Sequence, residues 1–573
     1  MNEIRTDQRT LPAWALHAGL LLLSLAFVLV ILHLLTPVYM ENDDVAIMDY
    51  AAQGFSMPYA GIFFTSLLHL AYLRFPETAW YAMALYGLHV LALYVWLTLV
   101  FRVCRPLWLA ALFALLLLGY YLVFLIYLDY TSTSIMLCTA GLTWGYLDVM
   151  ERRAGYLRYL LPGLVFMLGM LVRPQGAPGS LAYTLPIGLL AAWVSLRGLE
   201  SRPEVRRLLL IGALFLAPAL VEDGLDHAWR ACSATPQQQR YDAFNDVRGK
   251  LHSISRGRKQ AIMRNAALLK SVGWTRRDAA DFFNWKFLDE RIYTPEALRT
   301  LLAAAPPPHP GFSTVADTVL DRFPPADMLF LMILAPAPLL LLLAQRRRDL
   351  ALAGLLMPLY AVALTSFMTL FFAFEWRVRL PFETGFACCS LLVAGWIVTR
   401  HALLPPKGMQ VATALSVVLL CAGLWPGLRH VWVSASGMRD TRAKAERTID
   451  ILNRDFAGKV LLVEPKVGLP LERLDPLRVV HLSFQPVQLG WSTFSPRFYA
   501  QIGALGIQHS YELMDALITR DDAYVLGTEG WCREMLSYAT VPGADQVQPV
   551  LVEQVNRRVA VYRLQPPPTQ QKK

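Results

Sequence analysis

The chain has 573 residues, of which 55% are hydrophobic and 17% charged, with a formal net charge of +10. Segments such as Leu107–Leu128 carry no charge over a length that crosses a bilayer, so the composition excludes an ordinary soluble protein and points to a polytopic α-helical membrane protein. The arginines gather at the ends of apolar segments, where orientation in the membrane explains the basicity better than a nucleic-acid partner does.

The first apolar run, Trp14–Leu35, is too long for a signal-peptide core and has no small-residue cleavage site after it, which predicts a retained first span with the N-terminus inside. Immediately beyond it, "TPVYMENDDVAIMDYAAQGF" places Glu41, Asp43, Asp44 and Asp49 within nine positions. The next apolar stretch, Tyr59–Phe75, is short. If it crossed, Arg152, Arg153 and the triplet Arg346–Arg348 would fall outside; if it stays on the surface, every inner connection is basic. The second reading makes it an interfacial helix of a first outer loop, 37–79. Eleven spans follow from it, near 14–36, 80–101, 107–128, 131–149, 157–172, 177–196, 208–221, 328–344, 351–373, 384–399 and 410–428.

Two outer parts separate from the spans. Residues 1–221 form a seven-span module and 222–327 a large outer helical loop, in which Thr275 to Asp278 reads as a capping box, Thr294-Pro295-Glu296 as a helix start and Pro306–Pro310 as a breaker. Four further spans fill 328–429. After the helical stretch Asp440–Phe456, the runs "GKVLLVEP", "RVVHLSF", "DAYVLGT" and "RRVAVYRL" alternate with helical stretches at Pro496–Leu505 and Ser510–Ile518, which predicts an outer α/β domain over 430–565. The tail, 566–573, has a disordered composition. Of the seven cysteines only Cys232 and Cys532 fall outside the membrane, and two such residues 300 positions apart argue little for a disulfide. No metal-ligand spacing, phosphate-binding loop or nucleophile elbow is present, which leaves hydrolase and ATPase chemistry without a basis.

Asp43 and Asp44 are the candidate catalytic residues. Two adjacent carboxylates at the membrane face raise each other's proton affinity, so that one, Asp44 ahead of Asp43, can point into a cavity with Arg173 or Arg377 and act as a base while the other caps the following helix or helps hold a divalent cation such as Mg or Mn. Arg173 in "LVRPQG" and Arg377 and Arg379 in "FEWRVRLPFE" sit at the outer face against the positive-inside trend, as groups holding a donor phosphate would. Glu41 and the group Glu222, Asp223, Asp226 and His227 in "VEDGLDHAWR" are candidates for positioning an acceptor or a metal, against the plainer reading of a solvated helix start.

An acidic pair after the first span, the "AAQGF" run, an interfacial helix, seven spans, a large outer loop, more spans and an outer C-terminal α/β domain together resemble the GT-C superfamily, the integral membrane glycosyltransferases that use polyprenyl-phosphate sugars and include aminoarabinose and protein O-mannosyl transferases. As residues the resemblance covers only Asn42 to about Pro76, and this chain has Asp43-Asp44 where better-known members carry Asp-Glu. It implies transfer of a sugar from a polyprenyl-phosphate donor, among membrane lipids, to a glycan, lipid or protein acceptor. The place implied is the outer face of a bacterial cytoplasmic (inner) membrane, with the C-terminal domain periplasmic and Asp43 or Asp44 as the base. Two other classes stand beside it: a transporter or flippase of envelope lipids, for which the spans lack repeats and mid-membrane charge, and a non-enzymatic envelope-assembly protein. Exchange of both aspartates for Asn separates enzyme from scaffold.

Overall fold

The computed structural model describes residues 12–55, 57, 59–104, 107–151, 155–196, 202–254, 256–305, 348–371, 376–401, 406–465, 469–557 and 559–565. The expected span at 328–344, the Pro306–Pro310 breaker, the tail, and Arg152, Arg153, Arg346 and Arg347 lie outside these residues.

The N-terminal part is a helical bundle. It contains α1 (Ala13–Leu34), α2 (Asn42–Gln53), α3 (Ile62–Arg74), α4 (Trp80–Val103), α5 (Leu107–Ile126), α6 (Tyr130–Met150), α7 (Leu160–Val172), α8 (Gly176–Leu196) and α9 (Arg202–Ser233). Two-residue strands β1 (Val38–Tyr39) and β2 (Tyr127–Leu128) pair in parallel just before α2 and α6. Among the described residues, six helices are long and apolar enough to cross a membrane: Trp14–Leu34, Trp80–Val103, Leu107–Ile126, Gly176–Leu196, Leu208–Cys232 and Arg377–Ile397. The first of these leaves Leu22 64% and Leu29 55% exposed, an apolar face that suits lipid and not water.

The middle of the bundle is α6, whose Ser/Thr-rich sequence is less apolar than those six yet buried along its length. Its hydroxyls turn back onto the helix, with Thr139 and Thr143 donating to carbonyls one turn earlier at 2.7 Å each, so no polar atom is forced toward lipid. Two glycines let neighbouring backbones close on it. A Cβ on Gly169 of α7 would stand 2.6 Å from the Ser134 carbonyl oxygen, and one on Gly141 would stand 2.6 Å from that of Pro162. At the far end of α6, Asp148 and Glu151 hold Arg102 of α4 at 2.5 and 2.8 Å.

The segment after α9 folds as short helices: α10 (Pro236–Ser253), α11 (Arg256–Arg264), α12 (Ala266–Ser271), α13 (Arg276–Phe283) and α14 (Pro295–Ala304). Thr275 and Asp278 form the reciprocal capping box that the spacing predicts, and Thr294 caps α14 with Pro295 in its first turn. Then come α15 (Arg348–Phe371), α16 (Trp376–His401) and α17 (Pro406–Asp455), the last being one continuous helix of 50 residues where the sequence suggests a span followed by a separate helix.

The C-terminal domain carries a five-stranded sheet of order β4-β3-β5-β7-β6, made of β3 (Val460–Val463), β4 (Gln485–Gln488), β5 (Ala523–Gly527), β6 (Gln548–Gln554) and β7 (Ala560–Gln565). Strands β4, β3 and β5 are parallel, and β7 and β6 close the sheet antiparallel. Helices α18 (Pro496–Gly503), α19 (Leu513–Thr519) and α20 (Glu529–Met535) accompany it. The expected strand at Arg478–Phe484 does not form; pairing with Val460 begins one residue later, at Gln485. Strand β6 was not expected, because an exposed edge strand containing Pro549 lacks the apolar run that marks a buried one. Cys232 is exposed, Cys532 is buried, and both are free thiols.

Candidate active site

The acidic loop is held by the bundle and the C-terminal domain together. The β1–β2 pairing sets Val38 beside Tyr127 and Tyr39 beside Leu128, which brings the start of α2 against the start of α6. Asp43 and Asp44 occupy the first turn of α2, where the helix dipole favours negative charge, and the helix stops at Gly54 with φ 77°, a left-handed position that glycine adopts without strain.

Successive helical residues point about 100° apart, so the two aspartates part company. Asp44 faces inward and is fully buried; its Oδ1 accepts from the Tyr81 hydroxyl at 2.7 Å and from the Tyr130 amide at 3.0 Å. Asp129 is buried beside it and caps α6, accepting from the Ser132 amide at 2.9 Å. Burial, and then the neighbouring Asp129 carboxylate, push the Asp44 carboxyl well above the usual range, against the two hydrogen bonds it accepts. Burial also raises Asp129, opposed first by Arg377 and further by Arg173. The carboxylate that acts most strongly on Asp44 is therefore Asp129, not the adjacent Asp43.

Asp43 faces outward into a cavity of about 660 Å³, walled by Glu41, Asp43 and Arg377 on the membrane side and by residues of 463–473 and 488–492 on the C-terminal-domain side. The Arg377 guanidinium lies 3.7 Å from Asp43 and 3.4 Å from Glu41. Both separations exceed the roughly 2.7–2.9 Å of a tight charge-assisted hydrogen bond, so these two contacts are ion pairs and not short hydrogen bonds. Arg377 and Arg379 stand in the first turn of α16 and not on a turn before it. Arginine is unfavourable at a helix N-terminus, and Glu41 and Asp43 compensate Arg377 there.

No family model matches the chain, and no curated protein does. Among solved structures it is similar to the oligosaccharyltransferase of Archaeoglobus fulgidus, crystallised in complex with Zn and sulfate, at 14% identity over 95% of this chain and 73% of that one, with a TM-score of 0.34.

The other candidate residues are placed elsewhere. Arg173 donates to the Thr131 hydroxyl and lies 4.8 Å from the centre of the Tyr130 ring, so it steadies the start of α6. Arg379 is buried and pairs with Glu383 one turn along at 2.6 Å. Glu222, Asp223, Asp226 and His227 lie within the long helix α9 and not at a helix start. Asp226 accepts from the Ile62 amide at 2.5 Å and pairs with Arg230 at 2.8 Å, which ties α9 to the first turn of α3; Asp223 and His227 meet in solvent, at 3.5 Å. For a divalent cation the donor chemistry is suitable but the donor set is short, because among the described residues no group of three or more His, Cys, Asp or Glu side chains converges.

Trp285 does carry a signal, because the aromatic run "FFNWKFLD" in the large loop suits stacking on sugar rings as well as helix packing. Trp491, Tyr59, Glu464, Glu472 and Arg473 carry none: they come from three distant stretches of chain, and no spacing rule joins them. Glu464 follows β3 and accepts from the Thr528 amide at 2.8 Å, which aligns the ends of β3 and β5. Asp129 does carry a local signal: an Asp before "YTSTS" is a helix N-cap as well as a turn residue.

Proposed function

We propose that the chain is a membrane glycosyltransferase that moves a sugar from a polyprenyl-phosphate donor to an acceptor hydroxyl at the outer face of the cytoplasmic membrane. The observation that carries this reading is the pairing of Asp43 with Arg377 on the wall of a cavity between the apolar bundle and the outer domain. In this scheme Asp43 accepts the proton of the acceptor hydroxyl as its oxygen attacks the anomeric carbon. The bond from that carbon to the phosphate oxygen breaks, and Arg377 shifts from its carboxylates to the departing phosphate. A general base of this kind contributes about 10²–10⁴-fold in rate. Asp44, with its proton affinity raised and Oδ1 already engaged, serves as a support for the start of α6.

Mass spectrometry of envelope glycans in cells lacking the gene tests the proposal. Wild-type protein should restore the missing glycan form, whereas Asp43→Asn should be folded, present at normal levels and at least about 10²-fold less active. Full restoration by Asp43→Asn would refute the assignment.

A further inference from the structure

The outer wall of the cavity has a construction of its own. Trp285, Trp491 and Tyr59 all line it, and one buried guanidinium, Arg248 of α10, stands behind all three. Arg248 donates to the Trp491 carbonyl and to the Tyr59 hydroxyl, the latter at 3.3 Å, and its Cζ lies 5.2 Å from the centre of the Trp285 ring. The Tyr241 hydroxyl adds a second donor to the Trp491 carbonyl at 3.0 Å, and Tyr59 donates onward to Asn245 at 3.0 Å. Trp285 is held at φ 64°, a left-handed conformation unusual for a residue with a Cβ, while its ring stacks on His252 at 3.9 Å between centroids. Strain of this kind persists where the surroundings over-determine a position, and here they fix an aromatic ring at the edge of a cavity.

The sheet supplies an independent sign of a ligand site. The cavity opens at the carboxyl ends of β3 and β4, next to Pro465 and Gly490, and the chain leaves β3 to one side for β4 and returns on its other side for β5. That is a topological switch point, where open α/β sheets leave a crevice for a ligand.

We infer that Trp285, Trp491 and Tyr59, set in place by Arg248, form the acceptor subsite, and that the acceptor presents a sugar ring to them. A pyranose has an apolar C–H face that suits an aromatic ring and a rim of hydroxyls that suits the Gln488, Glu472 and Arg473 side chains of the same cavity. The inference rests on the transferase reading and narrows its acceptor to a glycan.

The test uses the full chain in lipid nanodiscs, titrated with chitotriose, maltotriose and mannotriose and followed by saturation-transfer NMR. At least one of the three should bind saturably, Trp285→Ala should weaken that binding about tenfold, and Trp285→Phe should recover most of it because a ring remains. Melting temperatures of the variants guard against misfolding. Absence of saturable binding by all three, or unchanged affinity in a folded Trp285→Ala protein, overturns the inference; if Asp43→Asn still abolishes glycan modification in cells, the transferase reading survives that result. Trp285-dependent binding with no glycan change in cells would leave a sugar-binding site and remove both the transferase and its acceptor.

Discussion

Asp43 and Asp44 are chemically identical and adjacent, and only the face of α2 that each occupies decides what it can do. Because the Asp44 carboxyl is raised, the folded chain holds that proton more tightly than the unfolded chain does. Below about pH 3.9 both states are protonated; as pH rises above that value the unfolded carboxyl ionises first, so stability falls until the folded group ionises too. Asp44→Asn keeps an acceptor for Tyr81 and Tyr130 and removes this titration. Its melting temperature should therefore fall less than that of wild type between pH 5 and pH 8, and parallel curves would show that Asp44 does not carry the slope. Arg377 and Arg379 differ in the same way. Arg377→Ala should weaken donor use by about 1.5–3 kcal/mol and lower the melting temperature less than Arg379→Ala does. Arg379→Ala strips Glu383 of its buried partner and should destabilise the protein by about 3–5 kcal/mol. Equal effects of the two variants on both measurements would contradict this division.

At the scale of elements, the decisive pieces are short. Helix α3 has 13 residues, a length of about 20 Å against an apolar bilayer thickness of about 30 Å. Asp226 of α9 holds its first turn and Arg230 holds the Ala60 carbonyl just before it, and His69 contacts the Ala51 carbonyl oxygen at the end of α2 at 3.1 Å. It should lie on the surface, with Leu67, Leu70 and Leu73 toward lipid. Cysteines placed at Arg74 and Thr78, in a background lacking Cys232, should react with an impermeant thiol reagent added from outside. Labelling only after permeabilisation would mean that α3 crosses. The two-residue pairing of β1 with β2 is smaller still, yet it brings Asp44 to the amide of Tyr130 and so links two loops 86 residues apart in sequence.

Across the whole molecule, the C-terminal domain is fastened onto the acidic loop. Arg497 pairs with Asp49 and lies 5.4 Å from the centre of the Tyr50 ring, the Tyr50 hydroxyl donates to Ser495 at 2.7 Å, and Arg442 donates to the Pro37 carbonyl. These contacts make the cavity a property of the assembled chain, with one wall from the bundle and one from the sheet. Arg497→Ala should weaken the attachment by about 1.5–3 kcal/mol, raise protease sensitivity around 495–500 and lower transfer without altering the spans. Unchanged proteolysis and activity would show that the domain is held by other contacts.

The sequence by itself determined what depends on local composition and periodicity: apolar helices of membrane-spanning length, the caps at Thr275 and Thr294, the run of β3, and an acidic loop beside the first helix. Each is decided within one or two turns of chain, where hydrogen-bonding geometry and burial period are written in neighbouring residues. Tertiary structure alone decided that Asp43 faces the cavity while Asp44 is buried against Asp129, that Arg377 meets the loop while Arg379 pairs within its own helix, and that Arg248 organises aromatic residues from three distant stretches of chain. Those outcomes turn on which face of a helix meets which neighbour and on strand register between distant segments. They depend on long-range packing, which no local pattern of residues encodes.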